Sequence, residues 1–289
     1  MSRLGLVFSL LALAGCAPLG GAFDMTDARP RATTSADGTE VSYRVSGRGD
    51  RAIVLIHGWS CDQGYWDGLV PLLSADHTVL TVDLAGHGAS GASRKAWTMA
   101  NFGEDVIAAV NAAQLDRVVL VGHSMGGPVM LEAARRLGER TALMVGVDTL
   151  KDPDAVMTRD AAQALWGGFS ANYAAAVNGF VRSQFFLPDA DPALVDSIAT
   201  DMASAPADIA LAAGLELSMY DRADGLRATR DIPLTLLNAD NPPTDETGYS
   251  EVRDEVSVVY LSSYGHFPMN EDPVAFDRAL RDVMRVVLP

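Results

Sequence analysis

A serine held between two glycines, directly after a run of apolar residues, constrains this chain more than any other feature. Arg117-Val118-Val119-Leu120-Val121 reads as a buried strand, Gly122-His123-Ser124-Met125-Gly126 follows at once, and Gly127 to Leu137 reads as a helix. A strand that turns so sharply into a helix forces its tip residue into a strained conformation, and small flanking residues avoid clashes there. The Ser124 hydroxyl is therefore expected to stand in the open beside the Met125 N–H, at a helix N-terminus where the dipole favours developing negative charge. An acyl-transfer nucleophile needs this geometry.

Apolar runs suited to buried strands recur on both sides of it: Ala52–Ile56, Thr78–Val82, Leu143–Val147, Leu234–Leu237 and Val256–Leu261. Helical patterns lie between several of them, notably Met99–Ala113, Pro128–Leu137 and Val274–Val287. Such alternation predicts an α/β fold with a mostly parallel central sheet flanked by helices. Val41–Val45 is expected to start an antiparallel edge.

The alternation stops between Leu150 and Asp231. Residues 151–230 are rich in Ala, Asp and aromatics at helical spacing, with no clear strand run, and read as a helical cap inserted between two strands. The core is then 39–150 and 231–289, preceded by a tether over 16–38. Trp166, Phe169, Tyr173, Phe180, Phe185 and Phe186 fall in the cap, where they either line an apolar pocket over the serine or pack as the cap's own core.

A serine hydroxyl needs a positioned base, most often histidine, and that base needs an acceptor to fix its tautomer. Of the five histidines, His57 follows a strand, His77 precedes one, His87 lies in a glycine loop, and His123 adjoins the serine with its side chain expected to point away. His266 remains, in Tyr264-Gly265-His266-Phe267-Pro268 between the last strand and the terminal helix. A loop there can carry the imidazole over the sheet's C-terminal edge.

These residues resemble the α/β-hydrolase superfamily, from about Thr39 to Val287. Four motifs agree with it in order: Ile56-His57-Gly58-Trp59, Asp83-Leu84-Ala85-Gly86-His87-Gly88-Ala89-Ser90, Gly122-His123-Ser124-Met125-Gly126-Gly127, and Gly265-His266-Phe267-Pro268-Met269-Asn270-Glu271-Asp272-Pro273. The resemblance implies an α/β-hydrolase fold with the cap between strands six and seven, and the chain order nucleophile, acid, histidine. It also implies an oxyanion hole from the backbone N–H groups of Trp59 and Met125. Trp59 either lines the acyl pocket or simply packs.

The acid departs from the family pattern. Members usually carry a Gly-rich turn with Asp a few residues after the seventh strand, whereas Leu237-Asn238-Ala239-Asp240-Asn241-Pro242-Pro243 lacks the glycine. Asp240 is the first expectation and Asp148, in Gly146-Val147-Asp148-Thr149, the alternative, because some members supply the acid from the sixth strand. Asp83 is expected to pin backbone turns instead. Gly86-x-Gly88-x-x-Gly91 also fits a dinucleotide fingerprint, but Ser93-Arg94-Lys95 does not open a helix at its third glycine. With no His/Cys cluster at zinc spacing, neither metal nor cofactor is implied.

The formal charge of −15 argues against nucleic acid and anionic membrane surfaces as electrostatic partners. A small-molecule, apolar acyl substrate is the expected partner. Residues 1–15 hold one charged side chain, Arg3, and the apolar run Leu4 to Leu13, and read as a signal peptide too short to span a bilayer comfortably. Leu13-Ala14-Gly15-Cys16 resembles a bacterial lipobox, which would acylate Cys16 and anchor an exported protein in the cell envelope through its N-terminal lipid alone. The implied place is the outer membrane facing the periplasm in a Gram-negative source; an ordinary cleaved signal would give a secreted protein instead. Only Cys61 would then remain as a thiol, so no internal disulfide is possible, and it reads as a small core or loop residue.

The expected activity is hydrolysis of a carboxylic ester or related acyl compound through an acyl-enzyme. A serine at the elbow disfavours haloalkane dehalogenase and epoxide hydrolase chemistry, which the resemblance places on an elbow aspartate. The same scaffold also hosts cofactor-free haloperoxidases, lyases and C–C hydrolases, and a ligand-binding protein with a nearly idle triad is a further alternative.

Overall fold

A computed structural model describes residues 29–287. The expected signal peptide and Cys16 lie outside the described residues. Eight strands form one sheet: β1 (Arg31–Thr34), β2 (Glu40–Ser46), β3 (Ala52–Ile56), β4 (Thr78–Val82), β5 (Val118–His123), β6 (Thr141–Val147), β7 (Leu234–Asn238) and β8 (Ser257–Tyr260). Their order across the sheet is β1-β2-β4-β3-β5-β6-β7-β8. β1 pairs antiparallel with β2 and β2 antiparallel with β4, while every other pairing is parallel. β3, Ala-Ile-Val-Leu-Ile, is buried along its whole length, the pattern of a strand covered by helices on both faces.

The helices are α1 (Val70–Leu73), α2 (Met99–Ala112), α3 (Gly126–Leu137), α4 (Arg159–Ser170), α5 (Tyr173–Gln184), α6 (Pro192–Ala203), α7 (Ala207–Met219), α8 (Arg222–Ala228), α9 (Glu246–Val252), α10 (Pro268–Glu271) and α11 (Pro273–Val287). Their ends are set by local chemistry: Thr98 caps α2 by accepting from the Asn101 N–H, and Thr158 caps α4 by accepting from the Ala161 N–H. α11 buries Phe276, Leu280, Val283 and Met284, which fall on one face at helical spacing. None of the described helices is long and apolar enough to cross a membrane.

Five helices, α4 to α8, lie between β6 and β7, where the cap insertion was expected. The tether needs correction: residues 31–34 form β1. Arg-Ala-Thr-Thr carries no apolar run because this edge strand is largely exposed and is held by backbone pairing with residues 40–43 of β2.

Candidate active site

Ser124 sits between β5 and α3 with φ of +52°, the left-handed region that a non-glycine residue adopts only where the surroundings enforce it. The glycines around it are required by close packing. A Cβ at Gly126 would lie 2.5 Å from the Ile56 carbonyl oxygen and 2.8 Å from that of His57, and one at Gly122 would collide with the Gly126 carbonyl. A Cβ at Gly58 would lie 3.1 Å from Ser124 Cβ, so the His57-Gly58-Trp59 loop lies directly against the elbow. The N–H groups of Trp59 and Met125 have no backbone or side-chain acceptor among the described residues.

His266 is fixed from several sides. Its backbone N–H donates to the Phe185 carbonyl at 2.7 Å, and the Phe185 ring stacks on the imidazole with centroids 4.2 Å apart. Its Nδ1 donates to Asp148 Oδ2 at 2.5 Å, leaving Nε2 as the working nitrogen. Ser124 and His266 line one small apolar cavity with Gly58, Trp59, Cys61, Met202, Phe185 and Phe267.

The acid beside the imidazole is Asp148, and the first expectation, Asp240, is corrected. Asp240 is exposed, and the residue before it contributes a donor instead of an acid: the Ala239 N–H bonds Asp148 Oδ1 at 2.9 Å. Asp148 has φ of +41°, which turns its carboxylate from the end of β6 toward His266. The turn is held by Asn238, whose side chain accepts from the Thr149 N–H and donates to the Thr149 carbonyl, both at 3.0 Å. The Thr149 hydroxyl in turn donates to the Ser124 carbonyl at 2.6 Å. One short network thus locks nucleophile turn and acid turn together.

Burial by itself would raise the Asp148 pKa. The hydrogen bond and charge of His266, and then Lys151, outweigh it and hold the carboxyl down at about 2. Lys151 Nζ lies 2.8 Å from Asp148 Oδ1. Nothing in the sequence singled Lys151 out, because a residue three positions beyond an unassigned acid gives no signal until the backbone turn is known.

His123 was expected to point away from the serine. Its side chain reaches the His266 loop, with Nε2 donating to the His266 carbonyl oxygen at 2.8 Å. Burial, then the neighbouring His266 charge, push its pKa down to about 3, so it stays neutral. His57 and His87 are likewise pushed down by burial, to about 4 and about 3. His57 Nε2 accepts from the Leu84 N–H at 3.0 Å, a loop-pinning contact.

Asp83 accepts from the Gln63 N–H and side chain and from the Ala89 N–H, at 2.8 to 2.9 Å. A Cβ at Gly88, whose φ is +50°, would collide with that carboxylate, while one at Gly86 would collide with Trp97 and Ile209, so close packing within the protein requires both glycines. Trp59 lines the cavity, and its indole N–H donates to the Ala210 carbonyl in α7 at 2.7 Å. Cys61 lines the same cavity, but burial pushes its thiol well up, which disfavours the nucleophilic thiolate. The cap aromatics form a chain of ring contacts from Trp59 through Trp166, Phe169, Phe180 and Phe185 to His266. Only Phe185 of the six cap aromatics lines the cavity itself. Among the described residues no group of three or more His, Cys, Asp or Glu is placed to hold a metal.

A sheet of this strand order with a strained serine at the end of β5 defines the α/β-hydrolase fold. Residues 53–279 match the alpha/beta hydrolase family, and the chain belongs to that family. It is 27% identical to a pimeloyl-acyl-carrier-protein methyl ester esterase of Neisseria meningitidis over 249 residues, covering 82% of this chain and 94% of that one. It is also 29% identical over 154 residues to the dihydrolipoyllysine-residue acetyltransferase component of an acetoin cleaving system from Pseudomonas putida, covering 53% of this chain but only 39% of that longer one. Among solved structures, a thermophilic esterase from Thermogutta terrifontis superposes with a TM-score of 0.78 at 23% identity, over 91% of this chain and all of the esterase.

Proposed function

We propose that this protein is a serine hydrolase that cleaves a carboxylic ester or related acyl compound through an acyl-enzyme. The observation that carries the reading is the convergence of Ser124 and an Asp148-fixed His266 on one cavity. In the forward step Ser124 Oγ attacks the carbonyl carbon while His266 Nε2 takes the hydroxyl proton. The carbonyl oxygen becomes the oxyanion held by the N–H groups of Trp59 and Met125, which stabilise charge present only in the transition state. His266 then gives its proton to the departing alkoxide, leaving an acyl-serine and free alcohol. Water loses a proton to the same nitrogen, attacks the acyl carbon, and releases the acid with the proton returned to Ser124.

Apolar acyl groups suit the walls, because Trp59, Met202, Phe185 and Phe267 offer no charged partner to a polar chain. The cavity measures about 10 Å³, room for roughly one water, so an ester enters only when cap side chains give way. Phe185 and Met202 come from the cap and are the groups to move. A fluorophosphonate probe together with a panel of p-nitrophenyl esters tests the proposal. Expected are covalent labelling at Ser124, absent in Ser124→Ala, and faster turnover of butyrate and benzoate than of a succinate half-ester. No labelling and no turnover in the native protein would leave it a binder. The lipobox-like segment supports a further reading, that lipid on Cys16 holds the enzyme at the cell envelope; Cys16→Ser would then release it to the soluble fraction.

A further inference from the structure

The acid in this site is shared between an imidazole and an ammonium. Asp148 Oδ2 receives His266 Nδ1, while Oδ1 receives Lys151 Nζ at 2.8 Å and the Ala239 N–H at 2.9 Å. The Asp148 and Lys151 side chains are 7% and 16% exposed, so water screens this pair weakly. Lys151 is held in place by its own backbone: its carbonyl accepts from the Asp245 N–H at 2.7 Å, and the Leu150 carbonyl accepts from the Tyr249 hydroxyl at 2.6 Å. A single backbone donor would have satisfied Oδ1 without a charge. An ammonium instead neutralises part of the carboxylate that His266 depends on when it takes up a proton.

We propose that Lys151 is a positioning residue that sets the working pH of this site, weakening the support Asp148 gives to a protonated His266 and so keeping the imidazole available as a base under more acidic conditions. This rests on the serine-hydrolase reading above. The charge acts through Asp148 and touches no reacting atom. Other ionisable groups surround the pair, and Glu271 acts on both Asp148 and His266 through its charge. His123, with its ring centroid 4.7 Å from that of His266, is kept neutral by burial. Glu271 accepts from the Gly265 N–H at 2.9 Å, and burial, the first influence on it, raises its pKa. Asp152 adjoins Lys151 in sequence, and Asp245 and Tyr249 belong to the segment packed behind it. Asp245 spends its carboxylate on the N–H groups of Thr247 and Gly248, and burial raises the pKa of the Tyr249 hydroxyl.

The test is the acid limb of the kcat/KM profile, read for the native protein and for Lys151→Met, Lys151→Gln and Lys151→Arg. The same samples are followed by the low-field proton signal of His266 Nδ1–H as pH is varied. Loss of the charge is expected to move the limb and the signal's midpoint toward higher pH by on the order of one unit in the Met and Gln variants. Arg is expected to stay near native. Gln retains a donor to Oδ1, so it carries the test should Met fail to fold. A lower rate with an unmoved limb and midpoint in both neutral variants overturns the proposal and leaves Lys151 a structural partner. Failure of the serine-hydrolase reading would be seen separately, as absent turnover and labelling in the native protein, with the proton signal still deciding the role of Lys151.

Discussion

Asp148 meets His266 across 118 residues of sequence, with the carboxylate 2.5 Å from Nδ1. The contact joins the C-terminal end of β6 to the loop after β8, and β7 passes between those strands in the sheet. β7 brings no acid of its own to the imidazole. It contributes Asn238 and the Ala239 N–H, both of which fix the Asp148 turn.

Asp148→Asn is expected to lower kcat by on the order of 10³ to 10⁴, because an amide in place of the carboxylate can favour the wrong imidazole tautomer. Asp240→Asn, at an exposed side chain that takes no part in this network, is expected to stay within about twofold of native. Steady-state kinetics on one generic ester compares the two, and a larger loss at Asp240 would reverse the assignment.

Ser124→Ala is expected to abolish turnover and fluorophosphonate labelling while leaving the melting temperature within a few degrees of native. Deleting one hydroxyl at this turn removes no packing of the core. Full esterase activity in the variant would remove Ser124 from the mechanism.

Gly126→Ala places a methyl group 2.5 Å from the Ile56 carbonyl oxygen, and that atom belongs to the rigid end of β3. A loss of about 3 kcal/mol in urea denaturation is expected, since backbone on both sides must shift. Gly138→Ala is a useful contrast: its Cβ meets open space, so its cost comes from backbone conformation alone, φ +55° with ψ −127°, and is expected to be about 2 kcal/mol.

Phe185→Ala removes the ring stacked on His266 and a wall of the cavity. Turnover of the smallest ester is expected to fall about tenfold as the imidazole loosens. Bulky acyl groups should lose less or gain, shifting the chain-length profile of the p-nitrophenyl panel upward. A uniform loss across the panel would separate Phe185 from substrate choice.

Stability should fall steeply in mild acid. His57, His87 and His123 are buried with pKa values of about 4, 3 and 3, below the ordinary value of 6.5. Between pH 6.5 and about 4 the unfolded chain therefore binds protons that the folded one does not. Each histidine then removes on the order of 1 kcal/mol per pH unit, and its contribution is intact above pH 6.5. Urea titrations at pH 8, 6.5 and 5 measure this, and equal stability at 6.5 and 5 would contradict neutral buried imidazoles.

The amino-acid sequence by itself determined the parts whose signals are local. Continuous apolar runs such as Ala52–Ile56 and Val118–Val121 marked buried parallel strands, because a strand covered on both faces has no polar side to show. The glycines around Ser124 marked the elbow, because only they allow the backbone to pass so close. The loop before the terminal helix marked His266 by its place after the last strand. Tertiary structure alone decided which carboxylate serves the imidazole, since Asp148 and Asp240 both stand near strand ends, and only the fold buries Asp148 against His266 and leaves Asp240 exposed. It also decided that Lys151 shares that carboxylate, that Phe185 covers the imidazole, and that Arg31–Thr34 joins the sheet. These are contacts between distant segments, a local ion pair that exists only because the backbone turns at Asp148, and a strand held by backbone hydrogen bonds, and none leaves a periodic mark in the order of side chains.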